Sequence, residues 1–453
     1  MVSVDTMKGR AVGSPKRRGW SVLAVGMAVA LAACGSSGSG GSPAASASPG
    51  SASPAASTQR IATNNPIAMD ALIAVGQKPA CALAANSTDN PELADYLDGI
   101  TDLGQLVEGT VFNLDALAKC KPEVIIMNTD DPGVLKTVGK IAKAVEFVEP
   151  NPPINPDGTA GSTWRNWLHA ATDPVGATAQ ANTVISTIDL QEGALKGMLQ
   201  GRELAVVDAR STSSYRVVNK YLPLAWAYVR DLGIKNYQTT AANYEEPGCL
   251  DDKKPDACYS KELSMETMPA LSGVDAVLVQ SRSVASSSDL DVFKANPLFA
   301  SLPAVKSGHL AVAASYADTG PIGVSFLFDK VADAFHVKEF HAALKDGGRA
   351  HLAVDPAANK LCWSVSPAAG TSKPDGTIKI AAGGSTVSLT SKATFTPAET
   401  DYQTSPPTVF STGCAAVAPK VAQALVASPA SAKLSAAGGS GSLAPGAASV
   451  VVG

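Results

Sequence analysis

The chain of 453 residues lacks the short motifs that mark common enzyme classes. It contains no Gly-x-Ser-x-Gly nucleophile motif, no phosphate-binding P-loop and no His-Glu-x-x-His zinc motif. Only five residues are histidine, and they are scattered along the chain, as are the aspartate and serine residues that a catalytic triad would need. The sequence therefore predicts a protein that is not an enzyme, has no catalytic residues and binds no metal.

Long apolar runs are absent except near the start of the chain. Five basic residues between Lys8 and Arg18 precede the uncharged stretch from Trp20 to Ala33. This stretch is too short to span a bilayer comfortably and has the length of a signal-peptide core. It ends in Leu-Ala-Ala-Cys-Gly at residues 31–35, which resembles the lipobox of bacterial lipoproteins.

The lipobox resemblance implies a processing step and a location. Residues 1–33 are then a signal peptide, and Cys34 carries a diacylglycerol that anchors the protein to the cell membrane on its extracytoplasmic face. Two acyl chains hold a protein on a membrane far better than one. The alternative is an ordinary secretory signal with a chance cysteine, and the export route, Sec or twin-arginine, stays open.

Charge is scarce and mostly negative beyond the signal. The first 33 residues carry five basic and one acidic side chain, which leaves 31 basic and 39 acidic residues in the remainder. A negative net charge argues against nucleic acid as a partner.

Two segments have too few large side chains to fold. Residues 34–58 are nearly all Gly, Ser, Ala and Pro, and residues 436–453 are similar. Such stretches cannot bury enough apolar surface to offset the loss of conformational entropy. We therefore expect a flexible linker after Cys34 and a disordered tail from 436, with about 375 residues between them, which is too many for one core.

Cysteine is present in an informative number. Of the seven cysteines, Cys34 is assigned to lipidation, and the other six permit three disulfides in an exported chain. The pairs adjacent in sequence are Cys81 with Cys120, Cys249 with Cys258, and Cys362 with Cys414. The alternative is that some are free buried thiols.

Short apolar runs alternate with amphipathic segments over most of the chain. Strands are predicted at 60–64, 80–85, 123–127, 144–149, 204–208, 276–280 and 310–314. Helices are predicted at 69–76, 113–120, 222–232 and 321–335, with a long helical region over 162–199 that Pro174 interrupts. This alternation predicts an α/β fold of two Rossmann-like lobes joined by a long helical backbone.

The predicted domain bounds follow from these patterns. A two-lobed substrate-binding domain spans 59–336, made of lobe one (59–149), a helical connector (150–200) and lobe two (201–336). Residues 337–435 alternate polar and apolar positions between Gly, Pro and Ser, which predicts a small antiparallel β domain.

An ordered set of short strings carries a family resemblance. In the first lobe these are Asn-Leu-Asp-Ala-Leu at 113–117 and Lys-Pro-Glu-Val-Ile-Ile at 121–126. In the second they are Asp-Leu-Gly-Ile at 231–234, Leu-Ser-Met-Glu at 263–266, Asn-Pro-Leu-Phe at 296–299 and Leu-Pro-Ala-Val-Lys-Ser-Gly at 302–308. The set resembles the substrate-binding proteins of siderophore, haem and cobalamin importers, and a Cys- and charge-rich insertion around 245–262 departs from it.

The resemblance implies a function and partners. The protein would bind a ferric siderophore, or a related iron or corrin complex, between its lobes and deliver it to the permease and ATPase of an ABC importer, as a monomer with no covalent cofactor besides its lipid. Asp115 and Glu266 match the carboxylates with which each lobe of such proteins meets the permease. The alternative is a cell-surface interaction or sensory lipoprotein that uses the same fold without transport.

Polar residues that follow the predicted strands are the candidate ligand contacts. Loops at the carboxyl ends of strands form the binding crevice of open α/β sheets, and arginine suits oxygen-rich anionic ligands. The candidates are Arg210, Tyr215, Arg216, Arg282, Tyr316, Asn65, Asn86 and Asp130.

The C-terminal region has its own resemblance. The runs at 350–355 and 361–363, followed by Gly413-Cys414 and a helix toward Pro429, resemble CHRD-type β modules. The His-rich segment of that family is missing. In the cell-surface alternative, this module would mediate protein contacts.

Overall fold

The structure is a computed structural model. It describes residues 59–83, 91–104, 113–129, 131–148, 164–209, 211, 213–218, 227–237, 262–281, 287–314, 320–366, 377–390, 393–395, 410–436 and 439–452. The predicted lipidation site Cys34 and the predicted pair Cys249–Cys258 lie outside these residues.

Lobe one is built on a parallel sheet of five short strands. The strands are β1 (Ile61–Thr63), β2 (Cys81–Ala82), β3 (Thr101–Asp102), β4 (Val124–Met127) and β5 (Lys143–Glu146), in the spatial order β3-β2-β1-β4-β5. The helices are α1 (Pro66–Ala74), α2 (Leu114–Cys120) and α3 (Pro132–Val138). The Asn113 side chain accepts a hydrogen bond from the Ala116 amide at 3.1 Å, so it caps α2 at the start of the helix predicted at 113–120.

The connector is helical, as predicted. Helix α4 spans Trp164–Thr172, a 3-10 turn spans Asp173–Val175, and α5 spans the 22 residues Thr178–Leu199. Proline is tolerated at the start of such a turn, because its missing N–H has no partner there in any case. Fourteen of the α5 residues are buried, so this helix is an internal backbone of the molecule.

Lobe two has a mixed sheet of six strands. They are β6 (Glu203–Ala209), β7 (Ser214–Val217), β8 (Lys235–Asn236), β9 (Leu263–Ser264), β10 (Ala276–Ser281) and β11 (Leu310–Ala314). The order is β11-β10-β6-β7-β9, with β8 also paired to β6. Strands β6, β8, β10 and β11 are parallel, whereas β7 pairs antiparallel with both of its neighbours, β6 and β9.

Short helices cover lobe two, and one long helix closes it. They are α6 (Ser287–Ala295), α7 (Pro297–Ala300), α8 (Pro303–Lys306) and α9 (Pro321–Ala334). Helix α9, the connector and both sheets contribute to one continuous apolar core. Of the helix predicted at 222–232, the described part forms a π-helical turn at Ala227–Asp231.

The C-terminal region is antiparallel β structure, as predicted. One sheet contains β12 (Lys338–Ala343), β13 (Arg349–Asp355), β14 (Lys360–Ser366), β17 (Ala393–Phe395) and β18 (Phe410–Ala416). A second contains β15 (Thr377–Ala382), β16 (Ser385–Thr390) and β19 (Lys433–Ala436), and α10 (Pro419–Ala427) packs beside them. Strands β13, β14 and β18 contact α5, so this region lies directly on the connector.

The predicted disordered tail is wrong for the residues that the structure describes. Strand β20 (Gly439–Ser442) pairs with β19, and β21 (Ala444–Pro445) pairs with β12. Farther on, the amide of Val452 donates to the Ala74 carbonyl at 2.9 Å, at the C-terminal end of α1. Glycine and serine carry no apolar pattern, but partner strands satisfy their backbone groups as well as those of any residue.

Two of the three predicted disulfides are confirmed. Cys81 and Cys120 join β2 to the end of α2, and Cys362 and Cys414 join neighbouring strands β14 and β18. A Cβ atom at Gly197 of α5 would lie 2.6 Å from the Cys414 sulfur, so only glycine lets the second disulfide pack this close to the connector. Among the described residues, no helix has the length and apolarity needed to cross a membrane.

Candidate functional site

In lobe one, the carboxyl ends of the central strands β1 and β4 carry amides and a hydroxyl. Asn64 follows β1, and its side chain accepts from the Asn128 amide and donates to the Asn128 carbonyl, both at 2.9 Å. These two bonds tie the end of β1 to the end of β4. Thr129, buried at 4% exposure, accepts from the Asp131 amide at 3.1 Å.

Asn65 is a helix cap, which corrects its prediction as a side chain offered to a ligand. It is 8% exposed, and its oxygen accepts from the Ala68 amide at 3.0 Å, at the first turn of α1. An asparagine in extended conformation directly before the first helical residue, here Pro66, satisfies one of the unpaired amides of the helix start. An asparagine between a strand and a helix is expected both for a helix cap and for a ligand contact at the strand end, so the sequence alone does not distinguish the two roles.

In lobe two, the corresponding edge carries charged and amide groups side by side. The strand registers place Arg216 of β7 and Gln280 of β10 on either side of Asp208 of β6. Asp208 and Gln280 are each 1% exposed and Arg216 is half-buried. Side chains of a strand alternate between the two faces of the sheet. All three residues therefore lie on the same face as Leu204 and Val206 of β6, which belong to the core shared with lobe one.

Tyr215 is a packing residue, which corrects its prediction as a ligand contact. It is 1% exposed and lies among the core residues on the opposite face of the same sheet from Arg216. Its hydroxyl is hydrogen-bonded to the Thr267 hydroxyl at 2.9 Å, and burial raises its pKa. Adjacent residues of a strand point to opposite faces, so Tyr215 and Arg216 cannot both face the cleft.

The remaining predicted ligand contacts lie outside the described residues. They are Arg210, Arg282, Tyr316, Asn86 and Asp130. Each one follows, directly or within a few residues, a strand whose end is described, so the strand-end loops that they occupy stay the predicted rim of the cleft.

Lobe one and lobe two are joined by a buried carboxylate. Asp70 of α1, 3% exposed, accepts from the amides of Ile322 and Gly323 at 2.8 and 3.0 Å, at the first turn of α9. An acidic group at this position caps the helix and interacts favourably with its dipole. A Cβ atom at Gly320 would meet the Asp70 carboxyl at 2.4 Å, so the residue before α9 has to be glycine.

A cluster of buried charges fixes the connector to lobe two. Arg165 of α4 bonds to Asp189 and, at 2.7 Å, to Glu192, both of α5, and lies 4.0 Å from Asp231. All four side chains are fully buried. Burial, reinforced by Asp231 and partly offset by Arg165, raises the pKa of Glu192 to about 8. Arg230 contacts Asp231 at 2.7 Å and adds a second cation.

The two predicted docking carboxylates occupy equivalent places in the two lobes. Asp115 is exposed in the first turn of α2, and Glu266 is exposed in the first turn of the 3-10 helix Met265–Gly273. Each helix leads into a buried strand, β4 and β10 respectively. Their permease role stays a prediction.

Sequence reasoning missed Asp208, Gln280 and Asp70. The first two have a signal, since each ends a run of four apolar residues that is typical of a buried strand. A polar residue at the carboxyl end of such a run lies at the ligand edge of the sheet. Asp70 has no comparable signal, because its partner is 252 residues away.

Two α/β lobes, each with a polar edge of strand ends and joined by a helical connector, define a two-lobed ligand-binding protein. Residues 61–317 match the family model described as periplasmic binding protein. The match covers more than half of the chain, so this protein belongs to that family, whose members are extracytoplasmic substrate-binding proteins. No curated protein matches the sequence.

Solved structures similar to this chain include three that are described as iron or siderophore proteins. The siderophore periplasmic binding protein from the fuscachelin gene cluster of Thermobifida fusca is 18% identical, with a TM-score of 0.45, over 61% of this chain and 97% of that one. FhuD from Vibrio cholerae with Fe3+-Desferal is 15% identical, with a TM-score of 0.44, over 62% and 98%. PiaA from Streptococcus pneumoniae with ferrichrome is 18% identical, with a TM-score of 0.40, over 61% and 93%.

Proposed function

We propose that this protein is the extracytoplasmic receptor of an ABC importer and captures a ferric siderophore, or a related iron or corrin complex, in the cleft between its lobes. Membership of the periplasmic binding protein family is the observation that carries this proposal. The ordered motif strings of both lobes, which resemble the siderophore, haem and cobalamin class, narrow the ligand to iron and corrin complexes.

Arg216 is the described residue best suited to bind such a ligand. It lies on the strand-end edge of lobe two, beside Asp208 and Gln280. Ferric siderophores are often anionic and rich in oxygen atoms, and a guanidinium donates to such groups in a planar, bidentate geometry. Arg210 and Arg282 would extend this basic edge into the loops.

The ligand is tested by titrating the protein without residues 1–34 with ferrichrome, ferrioxamine, a ferric catecholate, haem and cobalamin. Tryptophan quenching is the readout, with the iron-free siderophores as controls. We expect one complex to bind with a Kd in the micromolar range or below. If none of the five binds, the receptor proposal fails and the cell-surface or sensory alternative takes its place.

A pair of arginine variants tests whether lobe two's strand-end edge is the site. Arg216→Ala should weaken binding of the identified complex at least tenfold, about 1.4 kcal/mol. Arg202→Ala is the matched control, because Arg202 lies just before β6, at the opposite edge of the same sheet, and pairs with Asp275 at 3.3 Å. Equal losses in both variants would mean a general electrostatic effect rather than a contact at this edge.

The membrane anchor and the domain bounds belong to the same proposal. Cys34 would carry the diacylglycerol and residues 35–58 would act as the tether between membrane and lobes. Cys34→Ala should then release the protein from membranes after a carbonate wash, and a variant that stays bound would refute the anchor. The lobes at 59–149 and 201–336 remain the proposed organisation, together with a β region that begins at 337 and includes strands β20 and β21.

A further inference from the structure

A cavity of about 460 Å³ lies between the closing helix of lobe two and the C-terminal region. Its walls come from α9, from β12, from α10 and from the turn after β21. This volume is within the range of pockets that hold small molecules. It is a separate place from the strand-end edge described above, since none of Asp208, Arg216 and Gln280 lines it.

Much of the cavity wall is apolar. The apolar residues include Phe326 of α9, Phe340 of β12, Val426 of α10 and Pro445 of β21. Val426 is 37% exposed although it is a large apolar residue, so the opening of the cavity is apolar too. A ligand with a hydrocarbon or aromatic body would bury apolar surface against these side chains.

Two carboxyl groups from different elements meet in the wall of this cavity. Asp329 of α9 and Glu339 of β12 both accept hydrogen bonds from the Gln191 amide nitrogen, at 3.0 and 3.1 Å. The Glu339 carboxyl also contacts the His351 ring nitrogen at 2.8 Å. Ser325 donates to the Gln191 oxygen at 2.8 Å, which fixes the orientation of that amide.

The charges of this carboxyl pair are not balanced by its buried neighbours. Burial raises the pKa of Asp329 to about 8 and that of Glu339 to about 7, while burial lowers the pKa of His351 to about 4. The imidazole is therefore neutral near pH 7 and supplies a hydrogen bond rather than a charge. Of the neighbouring elements, α5 presents the neutral Gln191.

Two lysines, Lys330 and Lys338, also line the cavity, and both are engaged with other groups. The Lys330 ammonium lies 5.1 Å from the centre of the Phe326 ring, and Lys338 pairs with Asp333 at 3.8 Å. Arg349 of β13 is hydrogen-bonded to the hydroxyls of α5. A further cation close to the pair would favour its ionised form and lower both pKa values.

We propose that this cavity is a second ligand site, which binds a small primary amine with an apolar body as its ammonium form. The ammonium would lie against the Asp329 and Glu339 carboxyls and donate hydrogen bonds to both. The carboxyl pair would then lose its proton to solvent. The apolar body would lie among the phenylalanine, valine and proline side chains of the walls. This site is independent of the ligand proposed for the interlobe cleft.

Isothermal titration of the protein without residues 1–34 with 3-phenylpropan-1-amine tests the site. The neutral 3-phenylpropan-1-ol has the same body and serves as the ligand control. We expect the amine to bind at least tenfold tighter than the alcohol at pH 8.5, and about tenfold tighter at pH 8.5 than at pH 5.5, where the carboxyls are protonated. An amine pKa near 10 keeps the ligand charged at both values.

Proton release and two variants distinguish this site from weak binding elsewhere. Titration in buffers of different ionisation enthalpy should show net proton release at pH 7. Glu339→Gln, which keeps the shape and a hydrogen-bonding oxygen, should abolish the preference of the site for the amine over the alcohol. Val426→Trp should block the opening, whereas Val292→Trp, at an exposed valine of α6, should leave binding unchanged.

The proposal is overturned if the amine and the alcohol bind equally, if no proton is released, or if Val426→Trp and Val292→Trp bind the amine alike. It is also overturned if the amine does not bind at all at millimolar concentration. Circular dichroism of each variant confirms that the fold is retained before binding is compared.

Discussion

Side chains that follow the central strands β1 and β4 of lobe one are neutral and hydrogen-bonded to the backbone, whereas the central strands of lobe two carry Asp208, Arg216 and Gln280 side by side. Asn64 and Asn65 in lobe one close a β-strand junction and cap a helix. The difference indicates that charged side chains lie at the centre of the strand-end edge in lobe two and not at the ends of β1 and β4 in lobe one. Of the residues predicted to contact a ligand, Asn65 therefore has a structural role, whereas Arg216 stays a candidate for binding.

The largest expected effect comes from the disulfide that stabilises lobe one. Cys81 and Cys120 close a loop of 39 residues, for which chain entropy gives a stabilisation of about 4 kcal/mol. Replacing both by alanine should lower the free energy of unfolding by about that amount in urea denaturation. Binding at the edge of lobe two should be nearly unchanged in the fraction that stays folded. A loss of ligand affinity equal to that of Arg216→Ala would remove the distinction between the lobes.

The next largest effect should come from Asp70, the link between the lobes. Its two charge-assisted hydrogen bonds to the start of α9 are buried, so Asp70→Ala should cost about 3 kcal/mol. Asp131→Ala is the matched control within lobe one, where an exposed aspartate caps α3 through the Gly133 amide at 2.7 Å. That cap should be worth about 1 kcal/mol. Equal losses in the two variants, measured by thermal unfolding, would contradict the special role of Asp70.

A smaller effect, of about 2 kcal/mol, should follow from pH because buried carboxyls are concentrated around the connector and lobe two. The pKa values of Glu192 and Asp329 are raised to about 8 and that of Glu339 to about 7. The folded state favours their protonated forms, so their contribution is fully present below about pH 4 and is lost as pH rises toward 8. His351 acts in the opposite sense, because its lowered pKa favours the neutral ring and costs stability below about pH 6.5.

Urea denaturation at pH 6.0 and pH 8.5 measures this effect, and we expect the protein to be more stable at pH 6.0. Glu192→Gln should reduce the difference between the two pH values, since the amide cannot ionise but still faces Arg165. Asp131→Asn is the control, because the exposed cap contributes no buried charge. A difference of the opposite sign would show that the carboxyls are ionised at no cost in the folded state.

The smallest effect on stability, and a large one on transport, should come from Asp115 and Glu266. Both are exposed in first turns, so changing both to Lys should cost only about 1 kcal/mol through the helix dipoles. If each lobe docks on the permease through its carboxylate, uptake in cells should be abolished while ligand affinity in solution stays unchanged. Single variants show whether one lobe matters more than the other. Normal uptake by the double variant would refute the docking assignment.

The sequence by itself determined the parts of this protein that depend on local patterns. Short apolar runs predicted the strands, a helix was predicted to begin at Asn113, and Pro174 marked the break in the connector. The spacing of the cysteines predicted two disulfides that the fold contains. These features were predictable because neighbouring residues alone set the backbone conformation, and because the ordered strings of both lobes belong to one family.

Only the tertiary structure decided which polar residues lie at the strand-end edge and which lie in the core. Tyr215 and Arg216 are adjacent in sequence, and the register of β7 against β6 puts one in the core and the other on the edge. Asp70 gains its role from a helix 252 residues later, and the tail gains its strands from β12 and β19. These partners are far apart in sequence, and no local pattern of residues predicts them. The strand-end edge and the final strands could therefore be identified only from the tertiary structure.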